Sequence, residues 1–419
     1  MRPGRFIVVG AGLAGLSAAV TLAGRGAQVE LIEGAAQAGG RCRSYFDPQL
    51  GLKIDNGNHF VFSGNRAVCE YLETIGGEAG LVGPETNAYA FVDLRTGERW
   101  SLKPNMGVIP WWVASPGRRV PGTRVADYLP LAKLMRAPAG AKVGETISCS
   151  GTLYERLLEP ILVGALNTDP AGASAELASA VVRESLGRGG SAYRPRVAHP
   201  TLAAVFVDPA LAYLESRGGV VSLGRRVRGL ESADGRATAL SVAGERVALG
   251  PEDRVVVALP PWAATDLLPG ITAPDAFSAI VNGHFHITPP ARWLGDEPVR
   301  MVGVIGATVQ WIFLFPDRIS ITVSGADRLV DREREDLARL FWSEVAQALE
   351  IDPALPPWQV VKERRATFAA TPEQNARRPG PVTALSNVWL AGDWTATGLP
   401  ATLEGSVRSG RRAAELALG

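Results

Sequence analysis

Residues 5–34 read RFIVVGAGLAGLSAAVTLAGRGAQVELIEG, and the fold follows from how this stretch is parsed. Phe6–Val9 is a short apolar run, the composition of a strand buried on both faces of a parallel sheet. Gly10, Gly12 and Gly15, with Ala11, Leu13 and Ala14 among them, give G-x-G-x-x-G. Leu13, Leu16, Val20 and Ala23 then share one helical face, and Val29–Ile32 is a second strand ending at Glu33. Gly10 permits the tight turn, Gly12 lets the backbone approach a pyrophosphate, and Gly15 lets the helix pack closely on the strand. The helix N-terminus offers unpaired N–H groups and a partial positive charge to phosphate. Glu33 lies 23 residues beyond Gly10, near the spacing of about 20 at which an acid meets the ribose hydroxyls. A carboxylate there also repels a 2′-phosphate. A lone glycine motif could be a turn in an unrelated α/β domain. Strand, glycines, helix, strand and acid in order predict a Rossmann-like dinucleotide-binding unit.

The next segment, GAAQAGGRCRSY, bears on which dinucleotide is bound. Gly39 and Gly40 allow a second close backbone approach, and Arg41 can neutralise a phosphate or reach a flavin edge. An NAD enzyme normally continues into another βαβ unit here. Near the other end, residues 390–410 read LAGDWTATGLPATLEGSVRSG: a strand end, Gly392-Asp393, then a helix starting around Thr402 and Leu403. A long dinucleotide needs a clamp at each end. Asp393 can hydrogen-bond ribitol hydroxyls, and the N-terminus of the last helix can point N–H groups at the flavin or its phosphate. The last strand is therefore expected to return to the first sheet, with FAD held by both ends of the chain.

These motifs resemble the FAD-dependent amine oxidase and phytoene desaturase type of flavoprotein: G-x-G-x-x-G with Glu33, then GGR, then a late Gly-Asp. EPILVGALNTDPAGASA (159–175), IVNGHFHI (280–287) and ERRATFAATPEQNARRPG (363–380) are similar, more narrowly, to the squalene-associated hydroxysqualene dehydroxylases of bacterial hopanoid pathways. One departure is Asn58, where that group's D-N-G-Q-H motif carries Gln. The resemblance implies an α/β fold in which a Rossmann-like FAD-binding domain (1–75, 200–275, 380–419) interleaves with an α+β substrate-binding domain (76–199, 276–379). It implies that Val227 offers its backbone to the adenine, and that KIDNGNHF (53–60) passes beside the isoalloxazine with Asn58 and His59 closest. It also implies reductive removal of an allylic hydroxyl from a polyisoprenoid lipid. Asp55 and His59 are the catalytic candidates, and either could donate the proton if desolvation keeps its acid form populated near neutral pH. Asp-Asn-Gly is otherwise ordinary turn chemistry.

Between the two ends, Ala233-Asp234-Gly235 reads as a hairpin turn and DRVVVALPP as a buried strand stopped by proline. Residues 76–199 read as mostly helical and proline-broken. VQWIFLF and ISITVSG read as apolar strands, followed by a helix over Arg332–Leu349. Trp311, Phe313, Phe315 and His284 are the expected substrate-pocket residues. His284 and His286 alternate on a strand without Cys or carboxylate neighbours, so a pocket wall or a satisfied core histidine is expected and a metal is not.

Composition narrows the function classes. With 419 residues, 46% hydrophobic and 20% charged, the chain is a packed globular protein large enough for two cores. Its 43 Lys and Arg against 42 Asp and Glu give no reason to expect nucleic acid. Cys42, Cys69 and Cys149 are scattered and odd in number, which fits a reducing, cytoplasmic setting. No G-x-S-x-G elbow supports hydrolysis. Trp100–Lys142 is locally basic: Lys103, Arg118, Arg119, Arg124, Lys133, Arg136 and Lys142 face a single acid, Asp127, and enclose Trp111 and Trp112. That mixture suits a peripheral contact with an anionic membrane, or a solvated lid with buried tryptophans. A carotenoid desaturase or flavin amine oxidase, and a non-catalytic lipid escort that purifies colourless, remain alternatives.

Overall fold

The computed structural model describes residues 4–84, 86–295 and 297–419. Two sheets organise them. The first is five-stranded and wholly parallel, in the order Val220–Ser222, Gln28–Ile32, Arg5–Val9, Arg254–Val257, Val388–Leu390. Strands from the start, middle and end of the chain thus lie side by side. Ile7, Val8, Leu31, Val255, Val257 and Leu390 are almost wholly buried, as expected of a parallel sheet covered on both faces.

The two ends also meet through their helices. Leu13–Gly24 crosses Leu403–Leu418 so closely that a Cβ on Gly410 would lie 2.0 Å from the carbonyl oxygen of Ala14. The Ser17 hydroxyl donates to Val407 O at 2.8 Å across this crossing. The last strand and helix complete the first α/β layer rather than opening a new one.

The second sheet has seven strands, in the order Trp358–Phe368, Phe277–Phe285, Ile319–Val323, Trp311–Leu314, Arg300–Ile305, Tyr89–Asp93, Arg99–Leu102. One face packs on the helix Arg334–Leu349, whose Leu337, Phe341, Trp342, Val345 and Leu349 form its buried stripe. The Trp342 ring lies 5.0 Å from that of Phe285. The other face carries the turn at 55–60.

The hairpin Tyr89–Asp93/Arg99–Leu102 differs from the helical expectation for 76–199. Phe91, Val92 and Asp93 are buried, Arg99–Leu102 forms the sheet edge, and Gly97 at φ +73 closes the turn. The Asp234-Gly235 turn is present, with φ +50 and +71, between Val227–Ala233 and Arg236–Val242.

Candidate dinucleotide cradle and adjoining cleft

The glycine loop ends the strand Arg5–Val9 and caps the helix Leu13–Gly24. Gly10 takes φ +104, and a Cβ on it would lie 2.6 Å from Ala258 O. A Cβ on Gly15 would lie 1.8 Å from Gly10 O, so the helix can sit on the strand only with glycine there. Gly12 is different: a Cβ would meet no protein atom within 4 Å, and no side chain caps this helix. The start of this helix thus has no side-chain cap and has open space beside Gly12. Gly39 donates to Ala11 O at 2.8 Å, and Gly40 lies against Gly12. Two glycine turns thus line one gap, with no side chain between them. A pyrophosphate could be held beside them.

Glu33 accepts from Ala11 N–H and Ala35 N–H, both at 2.7 Å, which fixes the carboxylate at the strand end. A carboxylate has about four lone-pair sites, so ribose hydroxyls can still be accepted. Arg225 N–H donates to Glu33 O, and Gly224 N–H to Ala35 O, each at 2.8 Å. These contacts bring the segment leading into Val227 beside Glu33, where the adenine half would lie.

At the far end, Gly392 N–H is held by the Ser409 hydroxyl at 2.8 Å. Thr402 caps the last helix by accepting from Gly405 N–H at 3.1 Å, and Leu403 begins it. Asp393 pairs with Arg41, Oδ1 to Nη2 2.7 Å, joining the GGR loop to the Gly-Asp turn. Arg41 lies deep in the fold yet keeps 41% of its side-chain surface open, so an internal cleft runs past it. The residues present fit an extended dinucleotide with a flavin at the Arg41 end.

The turn at 55–60 crosses that cleft. Asn58 donates through Nδ2 to Thr322 Oγ1 at 3.1 Å and to Ile321 O at 3.3 Å. Thr322 donates to Asn282 Oδ1 at 2.7 Å, and Asn282 donates to Asn56 O at 3.3 Å. This knot pins the turn to the seven-stranded sheet and holds His59 and Phe60 partly open beside it.

One catalytic expectation changes here. Burial lowers the His59 ring to about 4, helped by the Arg41 cation and opposed by Asp393. Its acid form is therefore depopulated at neutral pH, the reverse of the expected effect. Asp55 is raised by burial, which does favour its acid form. However, it is only 3% exposed, with Oδ1 accepting from Ser44 Oγ at 2.5 Å and Leu202 N–H at 2.9 Å, and Oδ2 4.0 Å from Arg318.

The pocket expectation also needs correction. His284, Phe313 and Phe315 are almost fully buried and back the wall instead of lining it. His284 Nδ1 lies 2.9 Å from Ser320 Oγ, and the Arg318 guanidinium covers the Phe315 ring at 4.0 Å. Only Trp311 of the four keeps open surface. Two surface clefts of about 620 and 450 Å³ lie elsewhere, around Leu129–Lys133 and around Arg95 and Arg156. Neither is lined by a residue of the cradle.

Arg378 is a site residue that the sequence reading missed. It is 8% exposed and donates to the carbonyls of Asp393, Trp394 and Thr395 and to the Thr397 hydroxyl, with its guanidinium 4.8 Å from the Phe368 ring. It clamps the Gly-Asp turn from behind. Bonds from a charged donor contribute about 1.5–3 kcal/mol each, and their loss strands buried carbonyls. Arg378→Ala is expected to loosen FAD at least tenfold and to lower the urea midpoint. Arg378→Lys should recover little, since an ammonium cannot span the same fork. A fluorescence titration of FAD into each apoprotein checks this.

The profile of the family described as "Flavin containing amine oxidoreductase" matches residues 13–418. A Rhodopseudomonas palustris protein named hydroxysqualene dehydroxylase is 54% identical over 412 residues, covering 98% of this chain and 97% of that protein. Its namesakes from Sinorhizobium fredii and Zymomonas mobilis are 52% and 44% identical, covering 99% and 98% of each chain. Among solved structures, a putrescine oxidase bound to putrescine superposes with TM-score 0.72 at 16% identity, over 99% of this chain and 98% of that one. A cyclohexylamine oxidase from Brevibacterium oxydans gives 0.68 at 19%, over 99% of both chains. These structures share the fold.

Proposed function

The chain belongs to the flavin-containing amine oxidoreductase family, and from that premise we propose that this FAD-dependent oxidoreductase reductively dehydroxylates hydroxysqualene to squalene. The carrying observation is the identity of 44–54% with three hydroxysqualene dehydroxylases along nearly the whole chain. Reduced FAD, when bound, would supply the hydride. Protonation of the substrate oxygen would let it leave as water and the allylic cation would take the hydride, so that alcohol, one proton and one hydride would give hydrocarbon and water. The protein's tasks are to hold the carbon near the flavin, place one proton and exclude water that would recapture the cation.

We assign the proton to the Asp55–His59 turn. Burial shifts Asp55 toward its acid form, and neutral His59, beside the cleft, can hydrogen-bond the departing oxygen. Asp55→Asn and His59→Gln should reduce turnover far more than FAD content. Anaerobic incubation of reduced protein with hydroxysqualene, and separately with phytoene, read by mass spectrometry, tests the substrate. Squalene from the first alone supports the reading. Dehydrogenation of phytoene by oxidised protein would favour the desaturase alternative, and a colourless, inert protein the escort.

Among the described residues no helix is long and apolar enough to cross a membrane. We propose a peripheral contact through 106–129, where Val108, Ile109, Trp111, Val125 and Leu129 are 47–78% exposed within the basic segment. Trp112 does not take part: it is 2% exposed and packs edge-on against Tyr128 at 5.4 Å. Trp111 is open, with the Arg118 guanidinium 4.8 Å from its ring. Each basic residue near an anionic surface contributes about 1 kcal/mol, which salt screens. Co-sedimentation with phosphatidylglycerol vesicles should be salt-sensitive and should fall at least tenfold in an Ile109→Ser, Trp111→Ser, Leu129→Ser variant. Unchanged sedimentation would make the segment a lid.

A further inference from the structure

The inner face of the seven-stranded sheet is divided in two. Directly opposed residues on neighbouring strands share a face. One such row runs Trp100, Phe91, Gly303, Trp311, Thr322, Asn282. Its Thr322–Asn282 end is polar and is consumed by the knot with Asn56 and Asn58. Its other end is aromatic. The halves meet where the 55–60 turn lays Phe60 on the sheet, its ring 4.7 Å from Trp311 at 77° and 5.0 Å from Phe313. Behind them Phe91 lies 5.7 Å from Trp311 and stacks on Trp100 at 5.5 Å. Gly303 makes room, since a Cβ there would lie 2.4 Å from the Phe91 ring.

Phe60 and Trp311 differ from ordinary core rings in two respects. Both keep some open surface, and Phe60 directly follows His59 in the chain. Across from Trp311 lies Gly164, itself exposed, with its Cβ position 3.7 Å from the indole Nε1. Both rings also lack a protein cation. Arginines stack on Trp100, Trp111, Trp262, Trp293 and Phe315, but among the described residues none lies over Phe60 or Trp311.

We propose that Phe60 and Trp311 form a cation-accepting wall that stabilises the allylic cation between loss of water and arrival of hydride. This inference rests on the dehydroxylation reading. The faces of aromatic rings are negative and attract cations, most strongly when dry. They attract the neutral alcohol far less, so the interaction favours the charged transition state over bound substrate. A carboxylate or hydroxyl in the same place would bond to the cation. The rings offer negative charge without a nucleophile. The C–O electron pair leaves on oxygen, the hydride pair forms the new C–H bond, and the rings exchange neither electrons nor protons.

The test replaces Trp311 in the holoenzyme by tryptophans carrying one, two and three fluorines, which keep the shape and weaken the negative face. Three quantities are read: turnover of hydroxysqualene, affinity for squalene, and affinity for a long-chain tertiary ammonium that mimics the cation. The wall predicts that turnover and ammonium affinity fall together by about tenfold across the series, equivalent to about 1.4 kcal/mol, with squalene affinity unchanged. Trp311→Phe should retain more activity than Trp311→Leu. Flat ammonium affinity and flat turnover would overturn the proposal. If the protein never converts hydroxysqualene, the dehydroxylation reading fails, while the ammonium series still decides whether the wall binds cations.

Discussion

Gly12→Val is expected to yield a folded protein that has lost its flavin, whereas Gly15→Val should not fold. The two glycines sit three residues apart in one motif, yet the structure separates their roles. Gly12 has φ −70 and ψ 173, an extended conformation that valine adopts readily, and a Cβ there meets no protein atom within 4 Å. The added methyls would project into the gap between the glycine turns and keep the pyrophosphate off the helix N–H groups. Bonds to charged groups contribute about 1.5–3 kcal/mol each, so losing two weakens FAD by about a hundredfold or more. At Gly15 the new Cβ would lie 1.8 Å from Gly10 O, a backbone atom that cannot step aside. Absorbance after saturation with FAD, together with a thermal melt of each apoprotein, separates the cases. A Gly12→Val protein that keeps stoichiometric flavin would mean the phosphates are held elsewhere.

The fold should weaken as pH falls from about 6.5 toward 4, and His284 should account for about one proton of that slope. Burial lowers the His284 ring to about 3 and the His59 ring to about 4. Both stay neutral in the folded chain, while an unfolded histidine gains a proton near pH 6.5. The unfolded chain thus binds more protons in this window. The stability contributed by each neutral ring is present above pH 6.5 and is lost as pH falls toward the folded value, at about 1.4 kcal/mol per pH unit. Over two units His284 alone accounts for about 2–3 kcal/mol. Asp55, raised by burial, acts in the opposite sense above the usual carboxylate range, but it is present in both proteins of the comparison. Urea melts at pH 6.5 and 4.5 with FAD held saturating should show a shallower pH slope in His284→Leu. Equal slopes would mean that His284 is protonated in the folded state.

Both ends of the chain were legible because the physics of a dinucleotide cradle is local. A turn needing positive φ, a helix needing close approach and an acid at a strand end each leave a mark on a few adjacent residues. Residue 410 is glycine for the same kind of reason, though the helix it crosses lies almost four hundred residues away. Arg378 was not legible, because its partners are carbonyls of the 393–397 loop and carbonyls carry no side-chain signature. Trp111 and Trp112 read as a pair but face opposite ways on one short turn, which composition cannot reveal. The lowered shift of His59 was not legible, because the burial that mainly causes it, reinforced by the Arg41 cation, is created only by tertiary structure. The hairpin Tyr89–Asp93/Arg99–Leu102 was hidden by prolines further along the segment.

The central claim is that a hydride from bound FAD replaces the hydroxyl on the substrate carbon. The most direct measurement reduces the holoenzyme anaerobically in deuterated solvent, where the transferable flavin hydrogen exchanges, adds unlabelled hydroxysqualene, and locates deuterium in the product by mass spectrometry and NMR. Squalene with one deuterium, on the carbon that carried oxygen, is the expected product. Squalene without deuterium at that carbon would contradict the claim.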